Sequence, residues 1–569
     1  MGALSLLGRR RKPAAAPLPG ELGPAAPSRS PRVRVAMIVA GLVLAHIVLA
    51  LLFFDPTPHT GGDNAAYITL ARSLLERGAY LELYDPATPP HTQYPPVFPG
   101  MLALALLVGL RPWIGLKLVI VACSAAAVAF SYLWLRRRRR PELALRVGVL
   151  LAVSPGVLDL SHWVLSDVPF WLLTLMALWA FERLPPGRQG RFAFAIAATV
   201  LAYFTRSAGL PLVLAAAGWF ALRRRWRELG VLALAFVPLA LVWWLRARAA
   251  GGVDYVDQFW MVNPYRPDLG RIGALDLFER VIDNDARYLK RHLPILLWGF
   301  EGTAAFVLSI ILVVLAVFGW VERLRRPAVA ELFLALYVGL LFVWPAVWSG
   351  ERFLLPVLPL LLAYAGESVL RIAGWWRRAA APRVAIAAGL VTLALMLPAL
   401  AAGMRLGFTC TQRYLRGDTY PCLSREWADL FTLAEWSRTN LPDDAAVLSR
   451  KPRLFYVLSG HPGRNFPLSR EPDDFFRAAL DARARYVVYD HVDDLADLYL
   501  GPVLLRRPDA FCVMRSLGIE GAVLLGIRAD AAWLRNERGD PGATEQVLDM
   551  PRCPDEYWRR AQGSEPGGG

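Results

Sequence analysis

The sequence predicts an all-α polytopic membrane protein, with about eleven transmembrane helices and a small C-terminal α/β domain on the outer side. Of its 569 residues, 56% are hydrophobic and only 19% are charged, and the mean hydropathy is +0.37. The apolar residues occur in blocks of about 20, long enough to cross a bilayer as helices that satisfy their own backbone hydrogen bonds. After Leu406 the sequence becomes charged and turn-rich, which marks a separate domain.

The net charge of +16 is distributed as a topology signal. Basic residues cluster at alternate ends of the apolar blocks, as the positive-inside rule expects of cytoplasmic loops. No helix-turn-helix, zinc-finger or RNA-binding motif accompanies them, so we expect no nucleic-acid partner. The clusters are Arg9–Lys12, Arg136–Arg140, Arg223–Arg227, Arg323–Arg326 and Arg377–Arg378.

Counting spans from a cytoplasmic N-terminus leaves every long connection outside. The segment Val97–Leu110 has only 14 residues and two prolines before it, so it is predicted to dip into the outer face. The inner loops are short and carry no glycine-rich phosphate cradle, which excludes a cytoplasmic nucleotide-binding domain. The predicted spans are Val33–Phe54, Pro112–Leu135, Leu143–Val164, Val168–Arg183, Phe192–Phe204, Gly209–Leu222, Leu229–Arg246, Thr303–Val321, Ala328–Trp348, Phe353–Leu370 and Val384–Gly403.

These spans divide the chain into four parts. Residues 1–32 are predicted to be a disordered cytoplasmic tail, and residues 33–403 a membrane domain with outer loops 55–96 and 247–302. Residues 404–556 form the predicted extracytoplasmic α/β domain, and 557–569 a flexible tail.

The outer domain alternates helices with short apolar strands. Helices are predicted at Trp427–Thr439 and Asp473–Ala482, and strands at Ala446–Ser449, Tyr486–Tyr489, Ala510–Met514 and Ala522–Ile527. Four cysteines lie in this domain, which suggests up to two disulfides in an oxidising compartment. Three pairings are possible, and Cys410–Cys422 with Cys512–Cys553 is preferred; the spacing fits no zinc site.

Two acids are predicted at the outer face. Asp63 follows Gly61-Gly62 at the start of an amphipathic segment of the first outer loop, and Asp167 lies where two apolar blocks meet. Either can be a helix N-cap without further function. Two carboxylates delivered to one face can also position an acceptor hydroxyl and take its proton.

Basic residues at the outer face run against the positive-inside bias. Arg206 and Arg352 each sit between two apolar blocks, and Lys290 and Arg291 precede a span in the second outer loop. Contact with lipid headgroups or simple ion pairing explains each of them singly. Together they are candidates for binding the phosphate of a lipid carrier.

The order of these motifs resembles the GT-C glycosyltransferases, in particular the protein O-mannosyltransferases and lipid A aminoarabinose transferases. The segments that carry the resemblance are Gly62–Tyr67, Tyr94–Gly100, Ser166–Phe170, Thr205–Leu210 and Glu351–Pro359.

The resemblance implies an inverting transfer of sugar from a polyprenyl-phosphate donor, with Asp63 as the catalytic base and Asp167 lining the same cavity. The residues Tyr67, Tyr94 and His91 of the first outer loop are predicted to line the substrate cavity. Two departures matter: Asn64 stands where the relatives have a second acid, and Tyr94 stands where the aminoarabinose enzymes have lysine.

The sequence therefore predicts a glycosyltransferase of a bacterial cytoplasmic membrane, working on its outer side on a glycan, lipid or protein acceptor. No cofactor or metal site is predicted, because the lipid-linked sugar is a substrate; dependence on a divalent metal is left open. A glycolipid flippase and a non-catalytic membrane scaffold are the alternatives.

Overall fold

The computed structural model describes residues 31–110, 112–138, 140–185, 187–251, 258–518, 521–528 and 550–559. These residues are mostly helical, and they contain one five-stranded sheet. The helices are α1 Pro31–Leu52, α2 Gly62–Arg77, α3 Val97–Leu107, α4 Ile114–Arg137, α5 Pro141–Val153, α6 Pro155–Leu160, α7 Asp167–Phe181, α8 Gln189–Thr205, α9 Leu210–Leu222, α10 Trp226–Ala249, α11 Ala274–Arg287, α12 Leu293–Trp298, α13 Thr303–Arg323, α14 Val329–Val343, α15 Leu358–Trp376, α16 Ala381–Leu415, α17 Arg425–Asn440, α18 Pro452–Ser459, α19 Pro472–Asp481 and α20 Gly501–Arg506. The strands are β1 Ala446–Leu448, β2 Gly463–Arg464, β3 Ala484–Tyr489, β4 Phe511–Ser516 and β5 Val523–Ile527.

A helix covers most of each predicted span, and five of the described helices are long and apolar enough to cross a membrane. These are α1, α4, α10, α13 and α16, while α3, α7, α9 and α14 are apolar but shorter. The chain is thus a multi-pass membrane protein. The number of spans stays a prediction.

Prolines shorten two of the predicted spans. The segment Leu143–Val164 is divided into α5 and α6 at Ser154-Pro155, because proline lacks the N–H that would continue the ladder. The helix α14 ends at Val343, since Trp344 precedes Pro345 and adopts an extended conformation. Both breaks lie near the end of the bundle that carries Asp167 and Arg352.

The outer domain is a sheet of order β2-β1-β3-β5-β4 between two helical layers. The pairs β2–β1 and β1–β3 are parallel, whereas the pairs β3–β5 and β5–β4 are antiparallel. Alternate residues of β3 face opposite cores: Val487 packs in the cluster of α19 and α20, while Tyr486 and Val488 pack in that of α17 and α18. The predicted strands and the two predicted helices are confirmed, whereas α18, α20 and β2 were not predicted.

Helices and packed residues extend across the predicted domain boundaries, which stay predictions. The helix α1 already begins at Pro31, and α16 continues to Leu415, past the predicted boundary at 403. Packed structure also extends to residue 559, since the Tyr557 hydroxyl donates to the carbonyl of Ile527 at 2.9 Å. Residues 1–30 and 560–569 of the two predicted tails lie outside the described residues.

Two disulfides and two loop contacts fix the outer domain. Cys410–Cys422 closes the end of α16 onto the following turn, and Cys512–Cys553 joins β4 to the C-terminal segment. The domain rests on the first outer loop, where the Gly463 N–H donates to the Tyr84 carbonyl at 2.7 Å and Arg464 pairs with Asp85 at 2.8 Å. These contacts hold the segment from β1 to β2 against the first outer loop, which includes α2.

Candidate active site

Four helix ends bring the predicted acids and arginines together. Asp63 lies in the first turn of α2, and Asp167 is the first residue of α7. Arg206 follows the last residue of α8, and Arg352 lies in the 3₁₀ turn Glu351–Leu354 before α15. All four residues stand at the end of the bundle opposite the basic clusters that follow α9 and α13.

One guanidinium joins the two acids. Both Nη atoms of Arg352 lie 3.2 Å from Asp63 Oδ2, and its Nη1 lies 4.0 Å from Asp167 Oδ2. Arg206 Nη1 donates to the other side of the cluster, at 2.9 Å to Asp167 Oδ2 and 3.2 Å to Ser166 Oγ. The four side chains therefore form a chain of ion pairs in the order Asp63, Arg352, Asp167, Arg206.

Aromatic rings enclose this cluster. The Phe353 ring lies 4.8 Å from the Arg206 guanidinium and 5.0 Å from that of Arg352, within cation–π range. The Tyr67 hydroxyl lies 2.9 Å from Ser166 Oγ, and the Tyr94 hydroxyl donates to Asp63 Oδ1 at 2.7 Å. Both oxygens of Asp63 are thus engaged.

The electrostatics keep Asp63 ionised. Burial by itself would raise the pKa of this carboxyl. The Arg352 guanidinium and the Tyr94 hydroxyl, helped by the more distant Arg453 and Arg206, outweigh that effect and hold the pKa of Asp63 below its ordinary value. In the free protein, Asp63 is therefore an anion at neutral pH.

The side chain of Asn64 fixes the conformation of the loop before α2. The Asn64 side-chain amide donates to His59 Nδ1 at 2.9 Å and to the Gly61 carbonyl at 3.2 Å. The same Nδ1 also accepts the Gly61 N–H at 2.9 Å. An ionised acid cannot donate, so Asn64 has a positioning task here that a glutamate would not perform.

Two cavities meet at the cluster. One is a polar chamber of about 470 Å³ above it, and the other is an apolar groove of about 540 Å³ between α9 and α14. Five residues line both cavities: Asp63, Tyr94, Arg206, Trp344 and Phe353. The apolar wall of the groove includes Leu210, Pro211, Leu214, Leu336, Gly339, Leu340 and Val343.

The outer domain forms part of the chamber wall, which the sequence did not predict. Arg450, Lys451 and Arg453 line the chamber from the loop after β1 and the start of α18, together with Asn465. Tyr84, Gln93, Gln258, Tyr265 and Trp348 of the outer loops complete it. The run Arg450-Lys451-Pro452-Arg453, with three basic residues among four, was the available signal in the sequence.

Four predicted site residues line neither cavity. Lys290 and Arg291 are exposed and line neither cavity, because the turn that carries them buries Tyr288 and His292 instead. His91 is buried behind Tyr94; its Nε2 accepts the Tyr94 N–H at 2.7 Å and its Nδ1 donates to Glu82 at 2.8 Å.

Asp167 is the fourth. Its side chain is only 4% exposed, lines neither cavity and pairs with Arg206 at 2.9 Å. In the part of the chain that the structure describes, no group of three His, Cys, Asp or Glu side chains is placed to hold a metal ion.

Comparison with known proteins supports the fold. No family model matches the chain, and no curated protein matches it. Among solved structures, ArnT from Cupriavidus metallidurans bound to undecaprenyl phosphate matches at a TM-score of 0.52, with 16% identity over 88% of this chain and 99% of that one. The archaeal oligosaccharyltransferase AglB from Archaeoglobus fulgidus, in complex with an inhibitory peptide and a dolichol-phosphate, matches at 0.54, with 14% identity over 81% and 70%.

The chain has the GT-C fold. Both GT-C neighbours were solved with a lipid phosphate. At these identities the likeness concerns the arrangement of the chain, and the chemistry has to be argued from the side chains.

Proposed function

We propose that this protein transfers a sugar from a polyprenyl-phosphate donor to an acceptor on the outer face of a bacterial cytoplasmic membrane, with inversion. The observation that carries the proposal is the meeting of an apolar groove and a polar chamber at Arg206 and Asp63, with Arg352 on the chamber side. A polyprenyl-phosphate sugar has the same order of parts: an apolar chain, an anion and a polar ring.

The donor fits with its chain in the groove and its phosphate at the arginines. Arg206 lines both cavities, so its guanidinium stands where the phosphate follows the isoprenoid chain. A fork of N–H donors matches phosphate oxygens and stabilises the charge that grows on a leaving phosphate. ArnT holds undecaprenyl phosphate and AglB a dolichol-phosphate, which supports a donor of this class.

Asp63 is the proposed base. The acceptor hydroxyl attacks the anomeric carbon, the carbon–oxygen bond to the phosphate breaks, and the hydroxyl proton passes to Asp63. A carboxylate with a lowered pKa is a weak base in the free protein. The phosphate of the donor competes with Asp63 for Arg352. Binding of the donor therefore weakens the interaction that lowers the pKa of Asp63, and Asp63 becomes a stronger base.

Asp167 is proposed as a positioning residue. It accepts from Arg206 and lies near Arg352, so it fixes both guanidinium groups without touching the substrate. This changes the role expected from the sequence, where the two acids shared one cavity.

The test replaces Asp63 by Asn. The change keeps an oxygen for the Tyr94 hydroxyl and removes the charge, so kcat is expected to fall by about 10²–10⁴-fold while the affinity for undecaprenyl phosphate stays within a few fold. Purified protein is mixed with labelled undecaprenyl-phosphate hexoses and a cell-envelope extract, and released undecaprenyl phosphate is measured. Asp268→Asn, in the second outer loop and paired only with its neighbour Arg266 among the described residues, is the matched control.

Transfer at the wild-type rate by the Asp63→Asn protein would remove the proposed base. Movement of the donor across vesicle membranes without any release of undecaprenyl phosphate would instead favour the flippase alternative.

A further inference from the structure

The polar chamber has an excess of basic side chains. Among the described residues that line it, six carry a charge at neutral pH, and Asp63 is the single carboxylate. The five bases are Arg206, Arg352, Arg450, Lys451 and Arg453. Donor phosphate accounts for Arg206 and Arg352, which leaves three cations on the outer-domain side.

One of the three has a structural task. Arg453 is near Glu82, at 3.7 Å, and lies over the rings of Tyr84 at 5.1 Å and Tyr94 at 5.8 Å. Glu82 in turn accepts a hydrogen bond from His91, and His91 accepts one from the backbone N–H of Tyr94. Arg453 therefore supports the first outer loop.

Arg450 and Lys451 are arranged differently, because their counter-ion stands behind them. Asp493 lies 2.9 Å from Arg450 Nε and 3.4 Å from Lys451 Nζ, but it does not line the chamber. A second acid, Asp490, is buried and accepts the Val492 N–H at 3.2 Å, and it does not line the chamber either. The chamber wall thus presents two cations whose carboxylate partners are on its far side.

These cations are not part of the wall of the groove. Arg206 is the one basic residue among the described ones that lines both cavities, whereas Arg450 and Lys451 line the chamber alone. Their side chains are 14% and 21% exposed, so an anion placed against them is partly shielded from water and little screened. The Arg450 guanidinium lies 5.4 Å from the ring of Tyr265, which also lines the chamber.

We propose that Arg450 and Lys451 form a second anion site of the chamber, which binds a phosphate or carboxylate group carried by the acceptor. The inference rests on the proposed function, since it takes the phosphate of the donor to lie at Arg206 and Arg352. The inference restricts the acceptor to molecules that carry a negative charge near the accepting hydroxyl. A phosphorylated glycan or a glycan that contains uronic acid is such a molecule. An uncharged acceptor would have no group to bind Arg450 and Lys451.

The experiment compares a charged and an uncharged probe on the full-length protein in detergent. The donor site is first saturated with undecaprenyl phosphate, and then glucose 6-phosphate and glucose are titrated, with binding followed by saturation-transfer NMR. The wild-type protein is expected to bind glucose 6-phosphate at least about tenfold more tightly than glucose. The Arg450→Gln/Lys451→Gln protein is expected to lose that preference while its affinity for undecaprenyl phosphate is unchanged.

Asp493→Asn distinguishes anion binding from a structural role. It removes the same ion pairs as the double variant but leaves both cations, so glucose 6-phosphate is expected to bind as tightly as to wild type or more tightly. Equal losses in the two variants would show that the ion pairs only hold the loop, and would overturn the proposal.

Two further outcomes count against it. Equal affinity of the wild type for the two probes would remove the anion site. A loss of undecaprenyl phosphate binding in the double variant would assign the two cations to the donor. If undecaprenyl phosphate binds to none of the proteins, the proposed function fails, and the comparison of the two probes without lipid still decides whether the second site exists.

Discussion

Replacing Arg206 by Gln tests the donor site at the point where the two cavities join. The guanidinium donates to Asp167 Oδ2 at 2.9 Å and lines both the groove and the chamber. Glutamine keeps the polar character of the side chain and removes its charge. We expect undecaprenyl phosphate to bind more weakly, while binding of an uncharged sugar probe in the chamber changes little.

The magnitude follows from burial and charge. The Arg206 side chain is 17% exposed, so its contact with a phosphate is little screened by solvent. A hydrogen bond between charged groups contributes about 1.5–3 kcal/mol, which corresponds to a loss of about 10–150-fold in affinity. Asp167 retains Arg352 at 4.0 Å, so the variant does not leave a buried carboxylate without a cation.

The assay is equilibrium binding of labelled undecaprenyl phosphate to purified protein, at two salt concentrations and with a thermal unfolding scan of each variant. Arg206→Lys keeps the charge without the planar fork and should fall between wild type and Gln. Arg291→Gln is the matched control: its side chain is 67% exposed, lies 3.8 Å from Glu301 and lines neither cavity, so no change is expected.

Two results would refute this reasoning. One is an affinity for undecaprenyl phosphate within twofold of wild type in a folded Arg206→Gln protein. The other is a loss in Arg291→Gln as large as that in Arg206→Gln, which would restore the phosphate role that the sequence assigned to the second outer loop.

Three other perturbations test separate parts of the structure. Because the pKa of Asp63 is lowered, its charged form persists as the pH falls until that pKa is reached, so kcat/KM should be constant from about pH 7 to about pH 5. Arg352→Gln removes the main group that lowers this pKa, so in that variant kcat/KM should fall with decreasing pH within the same range. Gly339 lines the groove, and a Cβ added there would meet no atom within 4 Å. Gly339→Phe should therefore weaken binding of undecaprenyl phosphate more than that of a short prenyl phosphate, and equal effects would argue against a chain in the groove. Replacing Cys512 and Cys553 by Ala, which opens a link across 41 residues, should destabilise the outer domain by about 2–4 kcal/mol, measured as earlier proteolysis on heating.

The membrane part of the site could be predicted because topology constrains it. Once the basic clusters are placed inside, the ends that carry Asp63, Asp167, Arg206 and Arg352 all fall on one side, and short helices bring such ends together. What topology does not determine is the direction of each side chain. Lys290 and Arg291 precede a span in the expected loop, yet the turn that buries Tyr288 and His292 directs them outward.

The contribution of the outer domain could not be predicted in the same way. Its secondary structure follows from periodicity, but its position depends on contacts between residues far apart in sequence, such as Arg464 with Asp85. No local pattern encodes such a pair. The basic run at Arg450 was visible in the sequence, and only the docking of the sheet on the first outer loop shows that it faces Asp63 across a cavity.

The same docking links the outer domain to the proposed base. Asp63 is oriented by the Tyr94 hydroxyl, and Tyr94 is held through its backbone by His91 and lies under Arg453 of the outer domain. Arg453 also helps to lower the pKa of Asp63. The outer domain therefore does more than cover the chamber: it supplies one face of the cavity and supports the loop that sets the geometry of the acid. On the proposed function, residues of the sheet loops are therefore expected to select the acceptor, while the groove and Arg206 are expected to select the lipid phosphate.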